Sequence, residues 1–126
     1  VARIHAGVQQ QLSLGDLSVE RDWGWAPDYV DAMRRAALRR EPGDYVIGTG
    51  VSHSIRDFVA AAFHEIGVTE WEPLVQTDPD LVRPADPAIQ RADSAKARDV
   101  LDWAPTQGFR DTVAAMVQHH LAALDA

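Results

Sequence analysis

"LGDLSVERDWGWAPDYVDAM" occupies positions 14 to 33, and its reading decides the fold. Apolar and polar residues alternate over 11–17 and run into Gly15-Asp16, which predicts a short strand entering a turn. Residues 19–23, "VERDW", predict a second short extended piece. Helical spacing then takes over: Tyr29, Val30, Met33 and Ala37 define a helix over 26–40, with Pro27 tolerated in its first turn. At the mouth of that helix stand Arg21, Asp22, Trp23 and Trp25, where an ordinary loop carries Gly, Pro, Ser and Asn. The two rings either complete a core or pack to stiffen Arg21 so that its guanidinium can grip an anion.

Downstream, "EPGD" is a turn and "DYVIGTG" (44–50) predicts a strand running into glycines. The clearest helix follows over 54–66, where Ile55, Phe58, Val59, Ala62, Phe63 and Ile66 form one apolar stripe. Ser54 and Asp57 match a capping box, and Gly67 suits the stop. Ser52 and Ser54 both read as helix caps. Residues 68–93 hold four prolines and no helical period, with β-like pieces at 71–76 and 88–92. Asp93-Ser94 cap a short helix ending near Trp103, and Phe109 through Leu124 form the last amphipathic helix. Upstream, "VARIHAGV" (1–8) reads as a helix stopped by Gly7. A chain that opens in this way is expected to be a fragment. No internal repeat or domain boundary is evident.

The 126 residues suffice for one domain with a modest core, and 46% hydrophobic with 25% charged residues is ordinary globular composition. A net charge of −7 argues against a duplex nucleic-acid partner, which needs many phosphate-neutralising cations. Lys96 is the one lysine, and the remaining cations are arginines, which permits bidentate phosphate contacts. Cysteine is absent, which fits a reducing, cytosolic setting and excludes thiolate metal sites. No apolar run approaches the ~20 residues of a membrane helix. His5, His53, His64, His119 and His120 show no paired helical spacing for a metal, so no metal is expected. The cations Arg34, Arg35, Arg39 and Arg40 read as a solvated helix end. "GTGVSHS" (48–54) places glycines before a helix like a phosphate cradle, but it lacks the Lys-Ser/Thr of a P-loop. Its glycines otherwise serve the turn.

Taken in order, "VARI", "LGDL", "ERDWGWAPDYVDAM", "DYVIGTG", "SHSIRDFV", "LVRPAD" and "ADSAKARDVLDWAP" resemble the C-terminal part of GDP-mannose 4,6-dehydratases, extended short-chain dehydrogenase/reductases. The resemblance spans essentially the whole chain. It implies an α/β fold: a small mixed substrate-binding subdomain, with the NADP-binding Rossmann domain missing from this chain. The whole of 1–126 would then be the nucleotide-sugar-binding region, with residues 1–8 the end of a helix from the preceding part. The implied parent is a homo-oligomeric, cytoplasmic lyase that turns GDP-mannose into GDP-4-keto-6-deoxymannose with NADP. This chain has no Tyr-x-x-x-Lys pair and no glycine fingerprint, so it is expected to bind no cofactor and to be inactive alone.

Residue by residue, the resemblance assigns Leu14, Gly15 and Asp16 to the border of the guanine. Asp16 stands where the family has asparagine, and a carboxylate only accepts hydrogen bonds. Arg21 and Arg83 are expected to share the diphosphate, and Asp86 to meet the ribose in place of a glutamate. Trp25 replaces a family histidine. Without the resemblance, Arg21 can equally pair with Asp22 or Asp28, and Arg83 can be an ordinary loop arginine. A related GDP-sugar reductase, a UDP-sugar epimerase, or a stand-alone binding module are the alternatives. Loss of a covering domain is further expected to leave apolar positions on helices 26–40 and 54–66 uncovered.

Overall fold

The computed structural model describes residues 1–124. In chain order its elements are α1 (Ala2–His5), β1 (Leu12–Leu14), β2 (Glu20–Arg21), α2 (Ala26–Ala37), β3 (His53–Ser54), α3 (Ile55–His64), β4 (Val75–Thr77), β5 (Ile89–Gln90), α4 (Ala95–Leu101) and α5 (Phe109–Leu124). Short 3-10 turns occupy Glu72–Leu74 and Pro79–Leu81. The chain forms two compact units and passes between them more than once. Among the described residues, the first comprises 1–19, 54–88 and 113–124; the second comprises 20–53 and 89–112.

In the first unit β1 pairs in parallel with β4, Leu12 opposite Val75 and Leu14 opposite Thr77. The ladder is carried further by the Asp78 N–H, which donates to the Leu14 carbonyl at 2.8 Å. The core is Val59, Phe63 and Trp71, with Val1, Ile4, Leu14, Ile55, Ile66 and Val75 packed on it. The stripe expected on α3 is thus the stripe that is buried. Its N-terminus forms as the spacing requires: the Ser54 hydroxyl accepts from the Asp57 N–H at 3.0 Å, and the Asp57 carboxylate accepts from the Ser54 N–H at 2.9 Å. Gly67 follows in the left-handed region, φ +75°.

Gly15 is held to its residue type by a close approach. A Cβ there would lie 2.6 Å from the Leu81 carbonyl oxygen, a backbone atom that can yield only if the segment moves. Gly15→Ala is therefore expected to destabilise this unit by about 1–3 kcal/mol in denaturant unfolding. A loss below ~0.5 kcal/mol would show that the Pro79–Leu81 turn gives way freely.

The second unit holds a three-stranded sheet in the order β3-β2-β5, β3 also carrying Ser54, the first residue of the other unit's middle segment. β2 and β5 are parallel, with Glu20 opposite Ile89 and Arg21 opposite Gln90. Its core is Ala32, Ala97, Leu101 and Trp103, with Tyr29, Ala36, Tyr45 and Ile47 against it. The indole N–H of Trp103 donates to the Asp28 carbonyl at 2.8 Å. The buried Asp28 carboxylate accepts from the Thr106 N–H at 2.8 Å and the Thr106 hydroxyl at 2.6 Å. The first turn of α2 is thereby tied to the loop behind α4.

Several expectations need correction. Residues 44–50 form no strand: Tyr45 and Ile47 face the core while Val46 is exposed, but the backbone finds no ladder partner. The β-like piece at 71–76 is a 3-10 turn followed by β4, because Pro73 removes a ladder donor. The first helix of the second unit stops at Ala37, short of residue 40. Helix α4 ends at Leu101, two residues before Trp103, where Asp102 adopts a left-handed conformation at φ 50°. Ser94 stands at its N-cap position without capping it; its hydroxyl instead donates to the Gly48 carbonyl at 2.8 Å. The arginines at and just beyond the end of α2 are not simply solvated. Arg35 donates to the Leu101 and Asp102 carbonyls, and Arg39 to the Val100 carbonyl at 3.1 Å, filling acceptors at the C-terminal end of α4.

On α2, Val30 and Met33 are 63% and 68% exposed. On α3, by contrast, Val59, Ala62 and Phe63 are buried. Among the described residues no helix is long and apolar enough to cross a membrane.

Candidate functional site

Each unit carries a cleft, and each cleft contains residues singled out in the sequence. The cleft of the first unit, about 490 Å³, is lined by Asp16, Leu17, Ser18, Ser54, Arg56, Thr77 and Val82. Leu14 is half-buried at the end of β1, Gly15 lies against Leu81, and Asp16 follows on the cleft wall. Asp16 makes an Asx turn. Its Oδ1 accepts from the Ser18 hydroxyl at 2.6 Å and the Ser18 N–H at 2.8 Å, and these bonds hold its carboxyl below the usual aspartate range. Arg56 is a residue that the sequence pattern did not single out; its guanidinium lies over the Trp71 ring, 5.5 Å from the centroid. Arg83 is exposed in a turn closed by the Asp86 N–H, which donates to the Arg83 carbonyl at 3.2 Å. Asp86 is half-buried.

The cleft of the second unit, about 400 Å³, is lined by Arg21, Asp22, Ile89, Gln90, Arg91 and Ala92. Parallel pairing of β2 with β5 explains the grouping, since it sets Arg21 beside Gln90. One guanidinium N–H of Arg21 donates to the Glu20 carbonyl at 2.6 Å. Glu20 in turn accepts from the Ser52 hydroxyl at 2.6 Å, so Ser52 serves the sheet and not a helix cap. Arg21 belongs to the second unit and Arg83 to the first.

Asp22 is the knot of this cleft. Its Oδ1 accepts from the Thr49 N–H at 2.9 Å and the Thr49 hydroxyl at 2.6 Å. Its Oδ2 accepts from the Gly50 N–H at 2.8 Å and the Ala92 N–H at 3.2 Å. A single carboxylate thus stitches β2, the 48–50 loop and the end of β5. Burial acts to raise its pKa, but the bonds from Thr49, Gly50 and Ala92 outweigh that and keep the carboxyl below the usual aspartate value. The same bonds answer the question of a phosphate cradle. N–H groups of 49 and 50 that would cup an anion are spent on a side chain of the chain itself.

Trp23 donates its indole N–H to the His53 carbonyl at 3.4 Å, while Trp25 stands at the N-terminal end of α2. His53 stacks on Phe109, ring centroids 3.9 Å apart, which leaves Ser52-His53-Ser54 without the geometry of a nucleophile and its base. Among the described residues no group of three or more His, Cys, Asp or Glu could hold a metal ion.

This geometry has counterparts. A family model described as GDP-mannose 4,6 dehydratase matches residues 1–116. GDP-mannose 4,6 dehydratase 2 of Arabidopsis thaliana is 38% identical over 121 residues, covering 96% of this chain and 32% of the relative. The GDP-mannose 4,6 dehydratase of Homo sapiens is 38% identical over 133 residues, covering 93% of this chain and 36% of the relative. The chain therefore spans about a third of the length of such curated relatives. Among solved structures, RMD of Pseudomonas aeruginosa complexed with NADPH superposes with a TM-score of 0.84 at 24% identity, over 97% of this chain and 40% of that one. The dTDP-glucose 4,6-dehydratase of Bacillus anthracis in complex with NAD gives 0.83 at 19% identity, over 98% of this chain and 38% of that one. These two share the fold of this chain, while the sequence match over nearly its whole length is what classifies it. The chain belongs to the GDP-mannose 4,6-dehydratase family.

Proposed function

We propose that this chain is the nucleotide-sugar-binding portion of a GDP-mannose 4,6-dehydratase. The observation that carries the reading is the family match over residues 1–116. In this reading the whole enzyme is a cytoplasmic, homo-oligomeric lyase that forms GDP-4-keto-6-deoxymannose and water from GDP-mannose. NADP, when bound to the whole enzyme, would supply the hydride chemistry of that conversion. The residues in hand do not fit that cofactor. The glycine loop at 48–50, ahead of α3, has the N–H groups of Thr49 and Gly50 engaged by Asp22, and the chain holds no Tyr-x-x-x-Lys pair. The chain by itself would be inactive.

The role left to the chain is affinity and orientation. Leu14, Gly15 and Asp16 border the guanine in this reading, Asp86 meets the ribose, and Arg21 and Arg83 hold the diphosphate. Planar guanidinium forks match phosphate oxygens in pairs, and each aligned charged contact contributes about 1.5–3 kcal/mol. Isothermal titration of the chain with GDP, UDP and dTDP tests the reading. GDP is expected to bind tightest, and Arg83→Ala to weaken it about tenfold or more. Equal affinity for all three nucleotides would sink the guanosine assignment.

A further inference from the structure

We propose that Arg91 is a second phosphate-holding residue beside Arg21, so that the cleft of the second unit takes a diphosphate between two guanidinium groups. The inference borrows from the nucleotide-sugar reading only the name of the natural ligand; the site itself follows from the geometry.

Three observations converge. Arg21 and Arg91 line the same cleft of about 400 Å³. The β2–β5 register places Arg21 opposite Gln90, so Arg91 follows its strand partner by one residue. With strands ~4.8 Å apart and a rise of ~3.3 Å per residue, the two α-carbons lie within roughly 6 Å of each other. β5 ends at Gln90, and Arg91 is the first residue past it.

The second observation concerns the cleft's carboxylate. Asp22 is the acidic residue among the lining side chains, and its two oxygens already accept four hydrogen bonds from Thr49, Gly50 and Ala92. That fills the lone-pair sites of a carboxylate. Asp22 therefore has no acceptor capacity left with which to engage Arg91.

The third is the state of Arg91 itself. It is exposed, and among the described residues it makes no hydrogen bond or ion pair, although the chain has 19 acidic residues and a net charge of −7. Its donors are available to a ligand. Gln90 lines the same cleft. The chemistry that fits is an anion with several oxygens, as a diphosphate presents, with the Arg91 fork taking a pair of them beside Arg21.

Titration of the chain with inorganic pyrophosphate and, separately, with GDP tests this, using the unsubstituted protein, Arg21→Ala, Arg91→Ala and Arg91→Lys. Circular dichroism monitors folding, which Arg91→Ala should leave intact because Arg91 has no partner to lose. Arg91→Ala is expected to weaken pyrophosphate binding about ten- to a hundredfold. Arg91→Lys should recover part of it, since lysine restores the charge but not the fork. Pyrophosphate binding by folded Arg91→Ala within twofold of the unsubstituted chain would overturn the inference, as would an unsubstituted chain that binds no pyrophosphate. GDP bound no better than pyrophosphate, with Arg91 still required, supports the arginine pair and counts against the guanosine reading. GDP bound tightly and indifferently to Arg91 keeps that reading and removes Arg91 from it.

Discussion

Trp103→Ala is expected to lower the stability of the second unit by about 3–5 kcal/mol, the usual range for removing a buried tryptophan. Trp103 is 2% exposed and shares its core with Ala32, Ala97 and Leu101, small or medium residues that cannot close over the space a lost indole leaves. The substitution also strips the Asp28 carbonyl of its donor in a buried setting. Trp103→Phe restores most of the ring but not the N–H, and should retain all but about 1–2 kcal/mol. Urea unfolding of the three proteins measures this. A loss under ~1 kcal/mol for Trp103→Ala would mean that the cluster is not the core of its unit.

The second large effect falls at Asp22. Asp22→Ala removes the acceptor of four hydrogen bonds and leaves the N–H groups of Thr49, Gly50 and Ala92 to find water. A loss of about 2–4 kcal/mol is expected. Asp22→Asn should rescue only part, because its NH₂ would face donors where the carboxylate had an acceptor. The acid dependence has a definite sign. Folding lowers the Asp22 pKa below its ordinary 3.8, so its contribution is fully present above that value and is lost as pH falls through the lower folded pKa. Below about pH 4 the unsubstituted chain should therefore lose stability more steeply than Asp22→Asn. Parallel pH profiles for the two proteins would refute the carboxylate's role.

How much of this was legible in the sequence depends on range. Helix α3 was readable because its signals are local: an apolar stripe at helical spacing and a serine three residues before an aspartate. The 44–50 segment misled for the complementary reason. Its alternating Tyr45, Val46 and Ile47 look like a strand, yet the bonds that fix the following loop come from Asp22 and Ser94. No local pattern announces partners so far away along the chain. Asp28 shows the same limit: it reads as a first-turn acid of α2, but its carboxylate serves Thr106.

The site divides in the same way. Arg21 was visible through its motif and the tryptophans beside it, and it does line a cleft. Trp23 proved to bond to the His53 carbonyl, which ties β2 to its neighbouring strand. Arg91 carried no signal that distinguished it from the other arginines. Only the parallel register of two-residue strands puts it next to Arg21. Arg56 was likewise hidden within a helix marked by its apolar stripe, although it lines a cleft and its guanidinium lies over Trp71.

The central claim is that Arg21, seated on β2, holds the phosphates of a guanosine nucleotide. Calorimetric titration of the chain and of Arg21→Ala with GDP tests it most directly, with unfolding midpoints measured alongside. The account expects the unsubstituted chain to bind GDP and a folded Arg21→Ala to bind it at least about tenfold more weakly. Undiminished GDP binding by that folded variant would contradict it.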